Sequence, residues 1–338
     1  MRKNKYCIFL LALLLLLTGC TSRAPEETLQ IFAMDTVMDF YAVGEGASDA
    51  LSECAREINR LESLLSRTRT GSDVSNLNEN GSAALSEETA QLLRDALSYT
   101  QTTGGAFDVT IAPLVEAWNI HGENPRVLTA DEIAALLPLV GSEHLHLDGT
   151  SAALDAGCAI DLGGIAKGYA SDVAAQLYRD HNVTGGWLSL GGNVYTHGTK
   201  PDGSFWNVSV RDPRDTTASA AILQLSNQFA VTSGGYQRYF TAADGTVYQH
   251  IIDPATGTPA VSDLLSVTIV GKSGAMADAY STALYVMGES GAVSFWRAHH
   301  NEFDMVLITA DNRILYTPGL LSRITTEEGG SYEVFALT

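Results

Sequence analysis

A run of short strand patterns in the middle of the chain restricts the fold more than any other feature. Strands are predicted at 187–190, 194–197, 206–211, 220–225 and 229–232, with glycine-containing turns between several of them. Four more strand patterns follow, at 247–252, 265–270, 303–309 and 313–316. Helices and strands thus occur in blocks rather than in strict alternation. This arrangement predicts an α+β fold, a single domain of mixed β-sheets flanked by helices.

Helical patterns lie mainly before this run. Apolar residues at helical spacing predict an amphipathic helix over 47–66, and a second helix is predicted over 86–103. Between them, 68–80 is polar and rich in Gly, Ser and Asn, which predicts a loop. The stretch 29–43 before the first helix is predicted as one strand. Thr129-Ala130-Asp131-Glu132 has the form of a capping box that opens a further short helix.

The N-terminus has the features of an export signal. Basic residues at 2, 3 and 5 precede an apolar run over 6–17 that is too short to span a bilayer comfortably. Leu17-Thr18-Gly19-Cys20 resembles a bacterial lipobox, which implies cleavage before Cys20 and lipid attachment to it. We therefore expect a signal peptide over 1–19, a lipidated tether over 20–28 and the folded domain over 29–338, held at the extracytoplasmic face of the cell membrane. An ordinary signal peptide with an incidental cysteine is the alternative.

The charge of the chain restricts its partners. Cleavage before Cys20 would remove three of the 20 basic residues and none of the 39 acidic ones, so the charge becomes 17 − 39 = −22. This balance argues against nucleic acid and against polybasic attachment to anionic lipid, since both need basic patches. A polyanionic ligand would require local cations or a metal ion. Cys54 and Cys158 lack metal-site spacing, and Cys54 is expected to be a buried thiol.

The segment 275–288 is predicted to be a helix that ends at Gly288, where a left-handed cap is expected. Asp278 and Thr282 lie one turn apart on it and share a face. A carboxylate and a hydroxyl are hard oxygen donors, so the pair could form half of a magnesium or calcium site. Alternatively, Thr282 bonds to a helix carbonyl and Asp278 lies in solvent.

Two further segments carry candidate chemistry. Gly163-Gly164-Ile165-Ala166-Lys167-Gly168 opens a helix, where backbone N–H groups and a lysine could hold phosphate, although close helix packing explains the glycines equally well. His250 ends a strand pattern beside a turn and is a candidate general base. A structural histidine is the alternative. Asp253 precedes Pro254 and is either a second candidate base or an Asx-turn residue.

Taken together, these segments resemble the ApbE family, whose members are FAD:protein FMN transferases and often lipoproteins. The resemblance spans about residues 30–320. It rests on Met34-Asp35-Thr36-Val37-Met38, Gly105-Ala106-Phe107-Asp108, Asp161-Leu162 followed by 163–169, Gly191-Gly192-Asn193, Thr232-Ser233-Gly234, His250-Ile251-Ile252-Asp253-Pro254-Ala255-Thr256-Gly257 and 277–284, in this order.

The resemblance implies particular roles. The backbone oxygen of Ala166, the carboxylate of Asp278 and the hydroxyl of Thr282 match the family's magnesium ligands. The FAD-lining segments contain Met38, Asp108, Lys167, Ser233 and His250. The implied reaction cleaves the FAD pyrophosphate, attaches FMN to a Thr or Ser hydroxyl of an acceptor flavoprotein and releases AMP. The expected acceptor is an extracytoplasmic FMN-binding domain or a subunit of a redox complex.

One departure from the family pattern concerns the loop before Ser72-Asp73-Val74-Ser75-Asn76-Leu77-Asn78. Many members have an aromatic residue there, whereas this chain has Thr68 near that position. Two other functions stay open, and Thr68 motivates the first of them. One is a magnesium-dependent FAD pyrophosphatase that yields FMN and AMP, as some family members do. The other is a non-catalytic flavin-binding lipoprotein.

Overall fold

The computed structural model describes residues 24–120, 122–327 and 330–338. The strands are β1 Glu26–Ala33, β2 Thr36–Val43, β3 Ser82–Ala84, β4 Leu145–Asp148, β5 Ser151–Leu154, β6 Gly185–Leu190, β7 Asn193–Gly198, β8 Trp206–Arg211, β9 Ser219–Leu225, β10 Gln228–Gly234, β11 Tyr239–Thr241, β12 Val247–Gln249, β13 Leu264–Gly271, β14 Asp304–Thr309, β15 Arg313–Tyr316, β16 Ile324–Thr325 and β17 Glu333–Ala336. The α-helices are α1 Ala47–Leu65, α2 Asp73–Asn80, α3 Glu87–Thr102, α4 Ala112–Trp118, α5 Ala130–Leu136, α6 Ala166–Asp180 and α7 Gly274–His299.

A nine-stranded sheet forms the centre of the fold, in the order β1-β2-β6-β7-β10-β13-β14-β15-β17. Every neighbouring pair is antiparallel except β15 and β17. Helices α1, α6 and α7 pack on one face and enclose the main hydrophobic core. A small sheet, β16-β9-β8, packs on part of the other face around a second core. The predicted α+β domain of mixed sheets and flanking helices is confirmed.

The single strand predicted over 29–43 is wrong, because β1 and β2 form a hairpin. The turn is Met34-Asp35, and both residues have positive φ, 48° and 59°. Such a two-residue turn normally uses Asn or Gly. Here tertiary contacts hold it, since Met34 N donates to Glu62 Oε1 at 2.9 Å and the Arg238 guanidinium binds Asp35.

The loop predicted over 68–80 is wrong in its second half, which forms α2. The side chain of Ser72 accepts a hydrogen bond from Ser75 N at 2.8 Å, and Gly81 ends the helix with φ 68°. Val74 and Leu77 are buried three residues apart, so their burial stabilises a helix that its polar composition conceals.

The helix predicted to end at Gly288 breaks there but continues. Gly288 has φ 70° and ψ −178°, a conformation that is accessible mainly to glycine, and helical structure resumes to His299. Asp263 Oδ1 accepts a hydrogen bond from Glu289 N at 2.8 Å and so caps the second stretch.

Most other predicted elements are confirmed. Helix α1 buries its predicted apolar face, including Cys54, and the capping box at Thr129 is present. Cys54 and Cys158 are both buried thiols. The predicted signal peptide, Cys20 and the first part of the tether, up to residue 23, lie outside the described residues. Within the described part of the chain, no helix is long and apolar enough to span a bilayer.

Candidate active site

A large cavity lies beside the central sheet, with a volume of about 1390 Å³. Its wall is built from the β1–β2 turn, the end of α1, the first turn of α6, the middle of α7 and strands β6, β7, β8 and β10. Seven of the predicted site residues line it: Asp108, Ala166, Lys167, Ser233, His250, Asp278 and Thr282. Small-molecule sites span roughly 300–1,000 Å³, so this cavity can hold a large ligand.

Asp278 is placed at the crossing of α6 and α7. The two helices approach at Gly168 and Gly274, and a Cβ added to Gly168 would lie 2.2 Å from Gly274 O. This close approach lets Gly168 N donate to Asp278 Oδ2 at 2.8 Å. Only 4 % of Asp278 is exposed, and its second oxygen, Oδ1, accepts no hydrogen bond from the described residues. The alternative of a solvent-exposed carboxylate is therefore excluded.

Thr282 lies one turn further along α7 and faces the same cavity. Its Oγ1 is 3.2 Å from Ser233 Oγ, which lies 2.8 Å from Ser281 Oγ. Ser233 is the penultimate residue of β10, so the sheet and α7 meet through these three hydroxyls. Gly164 leaves space on the other side, since a Cβ there would lie 3.8 Å from Thr282 Oγ1.

These donors suit a hard divalent cation. The Asp278 carboxylate, the Thr282 hydroxyl and the first residue of α6, Ala166, all line the cavity. Mg²⁺ takes oxygen ligands and commonly binds through one or two carboxylates, waters and substrate phosphates. Among the described residues, no cluster of three His, Cys, Asp or Glu side chains could hold a metal by itself. The available oxygen donors therefore fit a metal that shares its coordination with a phosphate ligand.

The first turn of α6 contributes a cation. Lys167 lines the cavity, and its Nζ donates to Gly163 O at 3.1 Å. The backbone N–H groups of Gly163 and Ala166 already donate, to Asp161 Oδ1 at 2.6 Å and to Leu162 O at 2.8 Å. In this loop, therefore, the group available to bind a phosphate is the side chain of Lys167 and not a row of backbone N–H groups. Asp161 is held by Arg67, whose Nε lies 2.7 Å from Oδ2.

Asp108 is a mostly buried carboxyl that lines the cavity beside the loop before α6, where Asp161 N donates to Val109 O at 2.7 Å. Its Oδ1 accepts hydrogen bonds from Thr110 N at 2.8 Å and Thr110 Oγ1 at 2.6 Å. Burial raises the pKa of Asp108, and the bonds from Thr110 partly oppose that rise. An acid of this kind can hold a proton for a ligand group more readily than an exposed aspartate.

His250 follows β12 and borders the cavity. Its Nδ1 is 3.1 Å from the carbonyl oxygen of Arg238. A carbonyl only accepts, so this contact places a proton on Nδ1, and of the two neutral tautomers it selects the one with a lone pair on Nε2. That tautomer is the one that a general base requires.

Asp253 and Met38 differ from the other predicted residues, because neither lines the cavity. Asp253 Oδ1 accepts from Ala255 N at 2.9 Å and its Oδ2 accepts from Thr256 Oγ1 at 3.1 Å, the arrangement of an Asx turn. Met38 is fully buried on the core side of β2. Its neighbours Val37 and Asp39 face the cavity instead, as alternation along a strand requires.

Sequence reasoning missed several lining residues. Arg67, Trp187 and the strand β8 border the cavity although no motif marks them. Arg67 is close in sequence to Thr68, which also lines the cavity and is exposed. The positive charge of Arg67, next to the loop that contains Thr68, was a signal that could have marked it as a site residue. The position of β8 beside the cavity depends on tertiary packing and has no local signal.

Comparison with known proteins identifies the family. The sequence model of the ApbE family matches residues 34–307. The chain belongs to the ApbE family. The "FAD:protein FMN transferase" of Vibrio cholerae is 32% identical over 312 residues, covering 89% of this chain and 93% of that protein. A protein of the same name from Treponema pallidum is 32% identical and covers 81% of each chain.

Solved structures of this family share the fold. The crystal structure of the ApbE protein from Thermotoga maritima superposes with a TM-score of 0.80 at 31% identity, covering 86% of this chain and 96% of that one. The flavin transferase ApbE from Vibrio cholerae gives a TM-score of 0.76 at 29% identity, covering 85% and 94%. The order of motifs in the sequence thus reflects membership of one family over the whole domain.

Proposed function

We propose that this protein transfers FMN from FAD to a Thr or Ser hydroxyl of an acceptor flavoprotein and releases AMP. The observation that carries the proposal is the oxygen cluster of Asp278, Thr282 and Ala166 in one cavity with Lys167 and His250. The related proteins from Vibrio cholerae and Treponema pallidum are named FAD:protein FMN transferases, which supports the same activity and an enzyme of the transferase class.

The reaction exchanges one phosphorus–oxygen bond for another. The acceptor oxygen bonds to the phosphorus of the FMN half, the bond from that phosphorus to the bridging oxygen breaks, and AMP leaves with the bridging oxygen. The hydroxyl proton passes to a base. Such a transfer depends on positioning and on stabilising charge at the phosphates. A bound Mg²⁺ would neutralise charge on the pyrophosphate oxygens.

Each residue of the cavity has a task in this scheme. Asp278, Thr282 and the Ala166 carbonyl would hold the metal, and the bond from Gly168 N fixes the carboxylate in place. Lys167 binds a phosphate oxygen. His250 Nε2 accepts the proton of the acceptor hydroxyl, since the contact with the Arg238 carbonyl keeps the other ring nitrogen protonated. Asp108 and Ser233 position the substrate.

A magnesium-dependent FAD pyrophosphatase is the second candidate, and Thr68 favours it. This exposed residue borders the cavity where an aromatic residue would otherwise shield the ligand. Water reaching the same phosphorus would give FMN and AMP in place of flavinylated protein. A non-catalytic flavin-binding lipoprotein would need no general base at His250.

One incubation separates the three functions. The protein is mixed with FAD, Mg²⁺ and an acceptor flavoprotein domain prepared without its flavin. Fluorescent flavin that stays on the denatured acceptor supports transfer. AMP with free FMN, and an unlabelled acceptor, supports hydrolysis. Intact FAD that stays bound supports a binding protein and contradicts both enzymatic functions.

We also propose that lipid on Cys20 anchors the protein at the extracytoplasmic face of the bacterial membrane, as its lipobox suggests. A Cys20→Ser variant should move from the membrane fraction to the soluble fraction, and labelling with radioactive palmitate should be lost. A variant that stays in the membrane fraction would contradict the anchor.

A further inference from the structure

The edge strand β8 is the starting point. It pairs with β9 along one side, from Trp206 opposite Leu225 to Arg211 opposite Ser219. In the order β16-β9-β8 it is the last strand, and no described strand pairs with its other side. An edge of this kind presents backbone N–H and C=O groups that can pair with another chain.

This edge faces the cavity. Trp206 and Val208 belong to the buried side of β8, whereas Asn207, Ser209 and Arg211 belong to its exposed side, and all five line the cavity. Successive side chains of a strand point to opposite faces. A cavity that meets both sets must therefore run along the outer edge of the strand.

The floor of the cavity next to this edge is formed by the central sheet. The small sheet covers the central sheet around the second core, and Trp206 packs against Tyr41 of β2, but the outer face of β2 and β6 stays open at Asp39 and Ser189. There Asp39 lies opposite Ser189, and both line the cavity. We call this part of the cavity the β8 trough. Its floor is formed by Asp39, Trp187 and Ser189, and its wall by residues 206–209.

The trough leads to the proposed metal site. Arg211, at the end of β8, and Tyr236 both line this part of the cavity. Tyr236 packs on the β10 terminus, where a Cβ added to Gly234 would lie 2.6 Å from its ring. The preceding residue, Ser233, contacts Thr282 at 3.2 Å.

A buried amide lies between the trough and Ser233. Asn193 lines the cavity with 2 % of its surface exposed, and its Nδ2 has no hydrogen-bond partner among the described residues. Its neighbour Val194 lies opposite Ser189 of the floor, and Asn193 itself lies opposite Val231 of β10. A buried N–H donor without a partner costs free energy, and an acceptor such as a peptide carbonyl would recover that cost.

We propose that the acceptor protein binds as an added β-strand along the outer edge of β8. An extended segment would occupy the β8 trough, pair its backbone with β8 and carry its Thr or Ser past Asn193 toward Ser233 and Thr282. Main-chain pairing supplies affinity in such complexes, and alternate side chains supply specificity. This inference rests on the proposed transfer, because only that reaction requires a polypeptide in the cavity.

Hydrogen exchange gives the first test. With FAD and Mg²⁺ present, adding the flavin-free acceptor domain should slow amide exchange within residues 206–211, since alternate N–H groups of β8 become hydrogen-bonded. FAD and Mg²⁺ without acceptor should leave that exchange unchanged. Protection by FAD alone would assign the trough to the flavin nucleotide, and no protection by a substrate acceptor would also overturn the inference.

Backbone methylation of the acceptor gives the second test. The probe is a short peptide centred on the Thr or Ser that mass spectrometry finds flavinylated. In an added strand only every second N–H points toward β8. Methylating one alternate set should abolish labelling, and methylating the other set should have little effect. Equal effects of the two sets would contradict strand pairing.

Matched variants give the third test. Asn207 on β8 lies directly opposite Gln224 on the central strand β9, and both are exposed. Asn207→Trp should crowd an added strand and raise KM for the acceptor by about tenfold, with FAD affinity unchanged. Gln224→Trp should alter neither value. Equal acceptor KM values for the two variants would overturn the inference.

These outcomes are distinct from failure of the proposed function. If the wild-type protein labels no acceptor and instead releases FMN and AMP, the transfer itself is wrong and the strand proposal falls with it. A different outcome is that the wild type labels the acceptor, although the acceptor does not slow amide exchange in β8 and the two methylated peptides are labelled equally well. In that case the transfer stands and the strand proposal alone is rejected.

Discussion

At the scale of single residues, Asp278 is the group on which the site depends most. It supplies the one carboxylate of the oxygen cluster, and Gly168 N holds it in position. Removing it should cost the several kcal/mol of charge stabilisation that a bound metal supplies. Asp278→Ala should therefore lower the transfer rate by about 10²–10³-fold, measured at several Mg²⁺ concentrations.

Thr282→Ala should have a milder effect, since water can replace a neutral hydroxyl. Ser281→Ala is its matched control, because Ser281 bonds the same Ser233 but does not line the cavity. Near-wild-type transfer by Asp278→Ala at limiting Mg²⁺ would refute the metal assignment.

His250 can act as a base or only position the pyrophosphate, and its variant distinguishes the two. As a base it contributes roughly 10²–10⁴-fold. His250→Asn should then keep its FAD affinity, and its single-turnover rate should be lower than that of the wild type by this factor. The wild-type rate should fall as pH drops from 8 to 5, whereas the rate of the variant should not. A variant that mainly loses FAD affinity and keeps the acid limb would assign a positioning role. An unchanged single-turnover rate would reject the role of base, and an unchanged rate together with unchanged FAD affinity would reject both roles.

Asp108 predicts a pH dependence of stability. Its folded-state pKa is raised by burial, so the native state retains this proton to higher pH than the unfolded state. Stability from this group is present below its ordinary pKa of 3.8 and is lost as pH rises through the folded value. Asp108→Asn keeps the acceptor for Thr110 and removes the ionisation.

The variant should therefore gain free energy of unfolding over wild type as pH rises from 4 to 7, beyond any difference already present at pH 4. Urea denaturation at both pH values measures this. A difference that shrinks with pH would contradict the raised pKa of Asp108. The same variant should transfer FMN more slowly if Asp108 positions substrate.

At the scale of elements, the crossing of α6 and α7 determines the geometry of the site. Gly168→Ala places a methyl group 2.2 Å from Gly274 O and 2.7 Å from Asp278 Cβ. The helices must separate, which typically costs about 1–3 kcal/mol. We expect a lower free energy of unfolding and weaker Mg²⁺ binding, measured by urea denaturation and calorimetry.

Gly164→Ala is the control for that prediction. A Cβ there meets the ring of Phe107 at 3.1 Å rather than backbone. A small ring shift relieves the contact, so stability should change less than for Gly168→Ala. If both variants unfold like the wild type, the close approach of α6 and α7 is not what holds Asp278.

Local patterns predicted those elements whose residues carry their own signal. Helix α1 follows from five apolar residues at helical spacing, and the short helix α5 follows from its capping box. The Met34-Asp35 turn could not be predicted, because its positive φ values depend on contacts with Glu62 and Arg238. Helix α2 was hidden because its polar sequence is stabilised by burial of Val74 and Leu77.

The same distinction applies to the site. Asp278 and Thr282 share a helix, so their adjacency follows from helical spacing. The Gly-rich segment indicates the close packing of helices at Gly168. Their proximity to Ser233 is a contact between distant segments, which the resemblance to a family indicated and the residues alone did not. Strand alternation explains why Met38 is buried while Val37 and Asp39 face the cavity.

At the scale of the whole molecule, the cavity occupies the boundary between two packing layers. Helices cover much of one face of the central sheet, and the small sheet covers only part of the other. The uncovered part exposes polar residues such as Asp39 and Ser189 beside the edge of β8. Incomplete coverage thus creates both the cavity and a strand edge within it, which a second substrate of polypeptide nature can use.

The charge of the whole molecule leads to the last prediction. The chain carries a formal charge of −19, so its overall field opposes an anionic dinucleotide. A divalent cation held by Asp278 would reduce this opposition locally. FAD and Mg²⁺ should therefore bind with positive coupling, and each should tighten the other by the same factor, about 5–150-fold. Calorimetric titration of each ligand with and without the other measures both factors. In Asp278→Asn, which keeps the shape of the side chain but lacks its charge, the coupling should fall toward unity while some FAD binding persists. Independent binding of the two ligands to the wild-type protein would show that the metal is not shared with the substrate.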